Sequence, residues 1–110
     1  MKPLTRIDDN FSTTPQIDIE DLKDIKAAGF KSVICNRPDS EDGGSHPDHN
    51  LMETEARKLG IEFAYLPVVP GQINDGNVAE FKTIMDKLPR PTLGYCRMGM
   101  RAKTLYERSR

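Results

Sequence analysis

The 110-residue chain has no tryptophan, only two cysteines and two histidines, and an aromatic fraction of 6%. Two cysteines outside a Cys-x-x-Cys pair cannot build a disulfide framework. Apolar runs reach only a few residues, so no stretch is long enough for a membrane-spanning helix. No charge of one sign dominates: 16 Lys+Arg stand against 17 Asp+Glu, a formal charge of −1. That balance gives no general electrostatic reason to expect nucleic acid or a membrane surface as partner. Met1 to Arg6 lack an apolar core segment, so no secretory signal is expected and a reducing cytoplasm is the default compartment.

What is present is a soluble composition, with 36% hydrophobic and 30% charged residues. The length fits one domain over residues 1–110. Strand-like and helix-like segments alternate. A first strand is expected near Leu4 to Ile7. Ile17 to Ala28 reads as a helix, with Asp18 as its N-cap and Gly29 as its stop. Phe30–Cys35 reads as a buried strand and Asn36–Pro47 as a loop rich in turn residues. A helix over Asp48–Leu59, a strand over Ile61–Leu66 and a loop over Pro67–Gly76 follow. Asn77–Leu88 carries Val78, Phe81, Ile84, Met85 and Leu88 at helical spacing. Thr92–Tyr95 is a short strand, and Ala102 onward is helical.

Repeated strand–helix–strand units imply an α/β, three-layer fold. Its sheet is mainly parallel, with four to five strands and helices on both faces. Ligands of such sheets sit beyond the carboxyl ends of the strands, which draws Asn36-Arg37-Pro38 and the loop at Cys96 to one edge. The last helix is short for one that covers a sheet, so the chain is expected to be a fragment of a longer protein or to be covered by a partner.

The segment Tyr95-Cys96-Arg97-Met98-Gly99-Met100-Arg101 carries the chemistry. A strand delivers the cysteine, a loop with a central glycine follows, and a helix begins near the arginine. Successive N–H groups in such a loop can form an anion nest. The helix dipole and Arg101 add positive potential, and together they favour thiolate over thiol at Cys96. Gly99 supplies the positive φ that a tight loop needs.

With these residues in view, the chain resembles a known bacterial family, the beta-lactamase hydrolase-like proteins' phosphatase-like domain. The similarity is carried by Ser12–Ile17, Ala28–Asp39, Leu66–Ile73 and Tyr95–Arg101. That family combines a tyrosine/dual-specificity-phosphatase-like fold with a relationship to rhodanese sulfurtransferases, alone or fused to sulfide-metabolism enzymes. The resemblance implies that Cys96 is the nucleophile, that Arg101 acts with it, and that the loop of Arg97, Met98, Gly99 and Met100 binds an anion.

Loop length favours sulfur chemistry. Cysteine phosphatases place five residues between cysteine and arginine; here four separate Cys96 from Arg101, as in rhodaneses. Met98, Met100 and Ala102 also stand where the family pattern has hydroxyls. A phosphatase needs a general acid; Val69-Pro70 replace the usual aspartate, and Asp75 is the nearest substitute, although with Asn74 it can equally cap a helix. The leading expectation is therefore a rhodanese-like sulfurtransferase carrying a Cys96 persulfide. The alternatives are a cysteine-dependent phosphatase, or a non-catalytic anion- or partner-binding module. The expected partner is a small anionic sulfur donor or a phosphoryl substrate, with a sulfide-oxidation enzyme fused or associated, and no cofactor or metal is called for.

Arg37 is a candidate for gripping an anionic substrate, or else pairs with Asp39, Glu41 or a backbone carbonyl. Cys35 is expected to be a buried hydrophobe rather than a redox partner of Cys96. His46 and His49 are weak metal-ligand candidates without a wider cluster.

Overall fold

In the computed structural model, which describes residues 2–110, five strands form one sheet. They are β1 (Thr5–Arg6), β2 (Phe11–Thr14), β3 (Ser32–Cys35), β4 (Glu62–Tyr65) and β5 (Thr92–Tyr95), in the order β1-β2-β5-β3-β4. Four run parallel, and only the edge strand β1 is antiparallel to its neighbour. The fold class is as expected.

The helices are α1 (Asp21–Ala27), α2 (His49–Lys58), α3 (Asp75–Lys87) and α4 (Met100–Arg108). One face of the sheet packs Val33, Cys35, Leu93 and Tyr95 against Leu22 and Ile25 of α1 and Met52 and Ala56 of α2. The other packs Phe11 and Ile34 against Phe81 and Met85 of α3 and Ala102 and Leu105 of α4. β3 and β5 are therefore buried on both faces, which is why their sequences do not alternate apolar with polar. Each fully buried Leu or Ile on these faces contributes about 1.5–3 kcal/mol.

The structure departs from the sequence reading in three places. β2 was not anticipated, because Phe11-Ser-Thr-Thr lacks an apolar run; it is an internal strand, paired with β5 from Phe11↔Thr92 to Thr14↔Tyr95. The first helix starts at Asp21, not Ile17, and Asp18 does not cap it. Instead the Asp18 N–H donates to Asp21 Oδ2, and Lys2 Nζ bridges both carboxylates. α3 begins at Asp75, with Asn74 and Asn77 forming a reciprocal cap.

The nine-residue α4 packs on α3, β2 and β5. The contact is close because Gly94 lies beneath it. A Cβ at Gly94 would sit 2.5 Å from Phe11 Cζ and 3.1 Å from the Ala102 Cβ. No helix among the described residues is long and apolar enough to cross a membrane.

Candidate active site

Cys96 leaves the C-terminal end of β5 and opens a turn that closes at Met100, the first residue of α4. Gly99 holds φ +88°, a left-handed conformation in which a side chain would be strained. Its N–H thereby points back into the turn and donates to Cys96 Sγ at 3.1 Å. A Cβ at Gly99 would also press on the Thr14 carbonyl oxygen at 3.3 Å, so β2 braces the turn from behind. Gln16 N–H donates to Arg97 C=O at 3.1 Å and fixes the other side.

Arg101 sits one position into α4 and is buried. Its Nη1 donates to Glu41 Oε1 and to the Val68 carbonyl, both at 2.8 Å, and its Nη2 to Glu41 Oε2 at 2.8 Å. Glu41 thus takes the end-on fork of the guanidinium. Of its five N–H donors, the Nε–H and the second Nη2–H remain, and these form the side-on fork. Burial works against the guanidinium charge, but Glu41 and the Cys96 sulfur outweigh it and raise the Arg101 pKa.

Cys96 and Arg101 line one cavity of about 450 Å³, together with Pro70, Gly71, Ile73, Arg97, Met98, Met100 and Thr104. This is the size of a small-molecule site. Cys96 itself is buried at its floor, whereas Met98 and Met100 stand largely exposed at the mouth. A second depression, lined by Pro38, Ser40, Glu41, Asp42 and Val69, adjoins the first through Pro70 and Arg97.

Of the residues expected at the site, the structure brings Cys96, Arg97, Met98, Met100 and Arg101 to the cavity wall, with Gly99 binding the sulfur. Arg37 is not among the lining residues. Its Nε donates to Glu41 Oε2 at 2.9 Å, its Nη2 to Asp42 Oδ2 at 2.7 Å and its Nη1 to Gln16 Oε1 at 3.2 Å. It is a buried strut behind Glu41 rather than a hand for substrate. Asp75 is also elsewhere: its fully exposed carboxylate pairs with Arg108, at the far end of α4 from Arg101. Those arginines are seven positions apart along the helix, roughly 10 Å.

Sequence reasoning offered Glu41 only as a partner for Arg37, which it is, and missed its pairing with Arg101. Glu41 joins two buried arginines, and hydrogen bonding to Arg101 holds its carboxyl below the ordinary carboxylate range. The available signal was its place four residues after Arg37, but the reach to Arg101 spans 60 positions. Asp42 follows it at φ +54°, an uncommon conformation for a non-glycine residue, with Arg97 Nε 3.6 Å from its carboxylate.

Cys35 lies in the core cluster on the sheet face opposite α4, and burial pushes its thiol up to about 11. His49 Nδ1 meets Asp39 Oδ2 at 2.5 Å while its ring stacks on Tyr65, and His46 Nε2 is 3.2 Å from the Glu41 carbonyl. Both histidines brace the loop that carries Glu41. Among the described residues, no group of three or more His, Cys, Asp or Glu side chains converges as a metal site.

Residues 3–110 match the family model for the beta-lactamase hydrolase-like protein, phosphatase-like domain, and the chain belongs to that family. A beta-lactamase hydrolase-like protein of Agrobacterium fabrum is 32% identical over 92% of this chain, and one of Xylella fastidiosa is 24% identical over 91%. The chain spans only 23% of the length of each. Among solved structures, a candidate phosphatase of Neisseria meningitidis superposes with a TM-score of 0.85 at 31% identity, covering 93% of this chain and 72% of that one. Tk-PTP in its active form superposes at 0.69 with 16% identity, over 96% of this chain and 79% of its own, a likeness of fold alone. The fold is phosphatase-like, as the family's description and these neighbours agree.

Proposed function

We propose that this member of the phosphatase-like domain family is a cysteine-dependent phosphatase in which Cys96 is the nucleophile. The observation that carries the reading is the meeting of three groups at one cavity: the Cys96 sulfur, the Gly99 N–H on it, and the side-on fork of Arg101, which Glu41 and Val68 leave unoccupied. Such a fork matches two oxygens of a phosphoryl group in one plane.

The Cys96 thiolate attacks phosphorus, forming an S–P bond as the bond to the leaving oxygen breaks. Arg101 binds two of the equatorial oxygens, and the N–H groups of the turn supply further donors. Water then attacks the phosphocysteine, the S–P bond breaks, and the thiolate returns while inorganic phosphate takes the remaining proton. Glu41 fixes the plane of the guanidinium, and Arg37 fixes Glu41. Two free thiols suit work in a reducing compartment.

Hydrolysis of p-nitrophenyl phosphate tests the reading. Turnover is expected to be inhibited by vanadate and abolished in Cys96→Ser; turnover that survives Cys96→Ser would overturn it.

One observation favours a second reading. With four residues between Cys96 and Arg101, the ring of N–H groups is tighter than in the five-residue phosphatase loops and suits a terminal sulfur. In that reading the Cys96 thiolate attacks the outer sulfur of a thiosulfate-like donor, the donor S–S bond breaks, sulfite leaves and Cys96 keeps the sulfur as a persulfide; a sulfide-oxidation enzyme is the natural fused or associated partner. Mass spectrometry after thiosulfate treatment would show a gain of about 32 Da on Cys96 as sulfur transfers to the thiolate.

A further inference from the structure

The two carboxylates that line the depression adjoining the Cys96 cavity, Glu41 and Asp42, are each held by an arginine. Glu41 is clamped between Arg101 and Arg37. Asp42 accepts from Arg37 at 2.7 Å, with Arg97 alongside at 3.6 Å. Asp75 pairs with Arg108 outside the cavity. A carboxylate in such a pair is engaged as a hydrogen-bond acceptor. The side chains that line the cavity include no carboxyl and no imidazole. Hydrogen bonding to Arg101 also keeps the nearest acid, Glu41, ionised below the ordinary carboxylate range.

The mouth of the cavity has a different character. Among the described residues, Val69, Met98 and Met100 are three of the five exposed large hydrophobic side chains, at 49%, 70% and 63% exposure, and all three stand at this cavity or the depression adjoining it. Ile73 and Pro70 complete the apolar wall. A surface that leaves thioethers open at the entrance to an anion cup fits a ligand with an anionic head and an apolar body.

We propose that the substrate is an aryl or acyl phosphate whose leaving group departs as a stabilised anion without protonation by the protein. The proposal rests on the phosphatase reading and narrows it. As Cys96 sulfur bonds to phosphorus, the P–O electron pair stays on the leaving oxygen, and that oxygen must carry the charge alone. A carboxylate, with a conjugate acid near pKa ~4, or an acidic phenol tolerates this. A tyrosine phenol at about 10 does so poorly, and an alkyl alcohol such as serine hardly at all. The apolar rim receives the aryl or acyl body, and Arg101 receives the phosphoryl head.

The test is a leaving-group series on the wild-type chain: kcat/KM for substituted phenyl phosphates spanning phenol pKa values from about 4 to 10, with acetyl phosphate and phosphoserine alongside. The expected result is a steep decline, approaching tenfold per unit of phenol pKa at the limit of full charge development, with acetyl phosphate fast and phosphoserine inert. A decline shallower than about twofold per unit, steepened by Asp42→Asn, Glu41→Gln or Asp75→Asn, would reveal a protein proton donor and overturn the proposal. If no member of the series is hydrolysed while Cys96 takes up sulfur from thiosulfate, the phosphatase reading falls and the proposal with it.

Discussion

Both carboxylate oxygens of Glu41 meet the guanidinium of Arg101 at 2.8 Å, across 60 residues of sequence. The pair joins the turn after β3 to the first turn of α4, and it orients the arginine end-on so that its other edge stays available. Glu41→Gln removes the charge but keeps the shape. It is expected to lower kcat/KM by at least tenfold, because Arg101 loses its fixed plane, and to cost about 3 kcal/mol, as breaking a buried pair does. Enzyme kinetics and urea melts of the purified variant check both. Full activity in Glu41→Gln would show that Arg101 is oriented by Val68 and packing alone.

The same pair sets an acid limit. The Glu41 carboxyl is held below its ordinary value of 4.5, with hydrogen bonding to Arg101 the largest cause. A depressed carboxyl contributes stability that is present above its unfolded value and lost as pH falls through the folded one. Stability should therefore hold from neutrality down to about pH 4.5 and decline below it, and the decline should be smaller in Glu41→Gln. Chemical denaturation at a series of pH values measures this.

Gly99→Ala should separate fold from chemistry. The left-handed φ costs a β-carbon about 1–2 kcal/mol, and the added methyl meets the Thr14 carbonyl oxygen at 3.3 Å. The turn must shift to relieve both, which moves the N–H off Cys96 Sγ. The expected outcome is a folded protein with kcat reduced at least a hundredfold, in the range seen when one donor to a developing charge is lost. Circular dichroism with steady-state kinetics would show it; unchanged kcat would remove the Gly99 N–H from the mechanism.

The two thiols should differ sharply. Cys96 opens onto the cavity, while Cys35 is enclosed in the core and burial holds its thiol near 11, up from 9.0. Iodoacetamide near neutral pH is expected to modify one thiol per native chain, at Cys96, and none in Cys96→Ser. Peptide mapping reads the position. Because the folded Cys35 pKa is raised, its contribution to stability is complete below pH 9 and lost as pH rises toward 11.

Gly94→Ala tests the packing that places the site. Its Cβ would lie 2.5 Å from Phe11 Cζ in a ring-filled layer between β5 and α4. Phe11 stacks on Tyr106, so the ring cannot simply turn away. A loss of about 1–3 kcal/mol is expected, as for overpacked cores. A shift in the urea midpoint with unchanged slope would show it.

Much of the site was legible in one segment. Tyr95 to Arg101 is local: strand, turn and helix start are adjacent in sequence, so the cysteine, the glycine and the arginine had to share a small volume. The α/β class was legible for a related reason, since apolar spacing and Gly or Pro stops are nearest-neighbour signals. The choice between the two roles of Arg37, the reach of Glu41 to Arg101, and β2 were not. Whether Arg37 grips substrate or braces a neighbour depends on which donors Glu41, Asp42 and Gln16 take, and Gln16 lies 21 residues away. Phe11–Thr14 is a strand because β5 and β1 pair with its backbone, not because its side chains call for one.

The sequence by itself determined that a cysteine stands at a strand end, before a glycine turn and an arginine-bearing helix, because those preferences are written in contiguous residues. Only the tertiary structure decided which face of Arg101 is free, which acids are spent on arginines and which side chains rim the cavity. Those follow from long-range ion pairs and from the order β2-β5-β3, which brings together segments that no local rule connects.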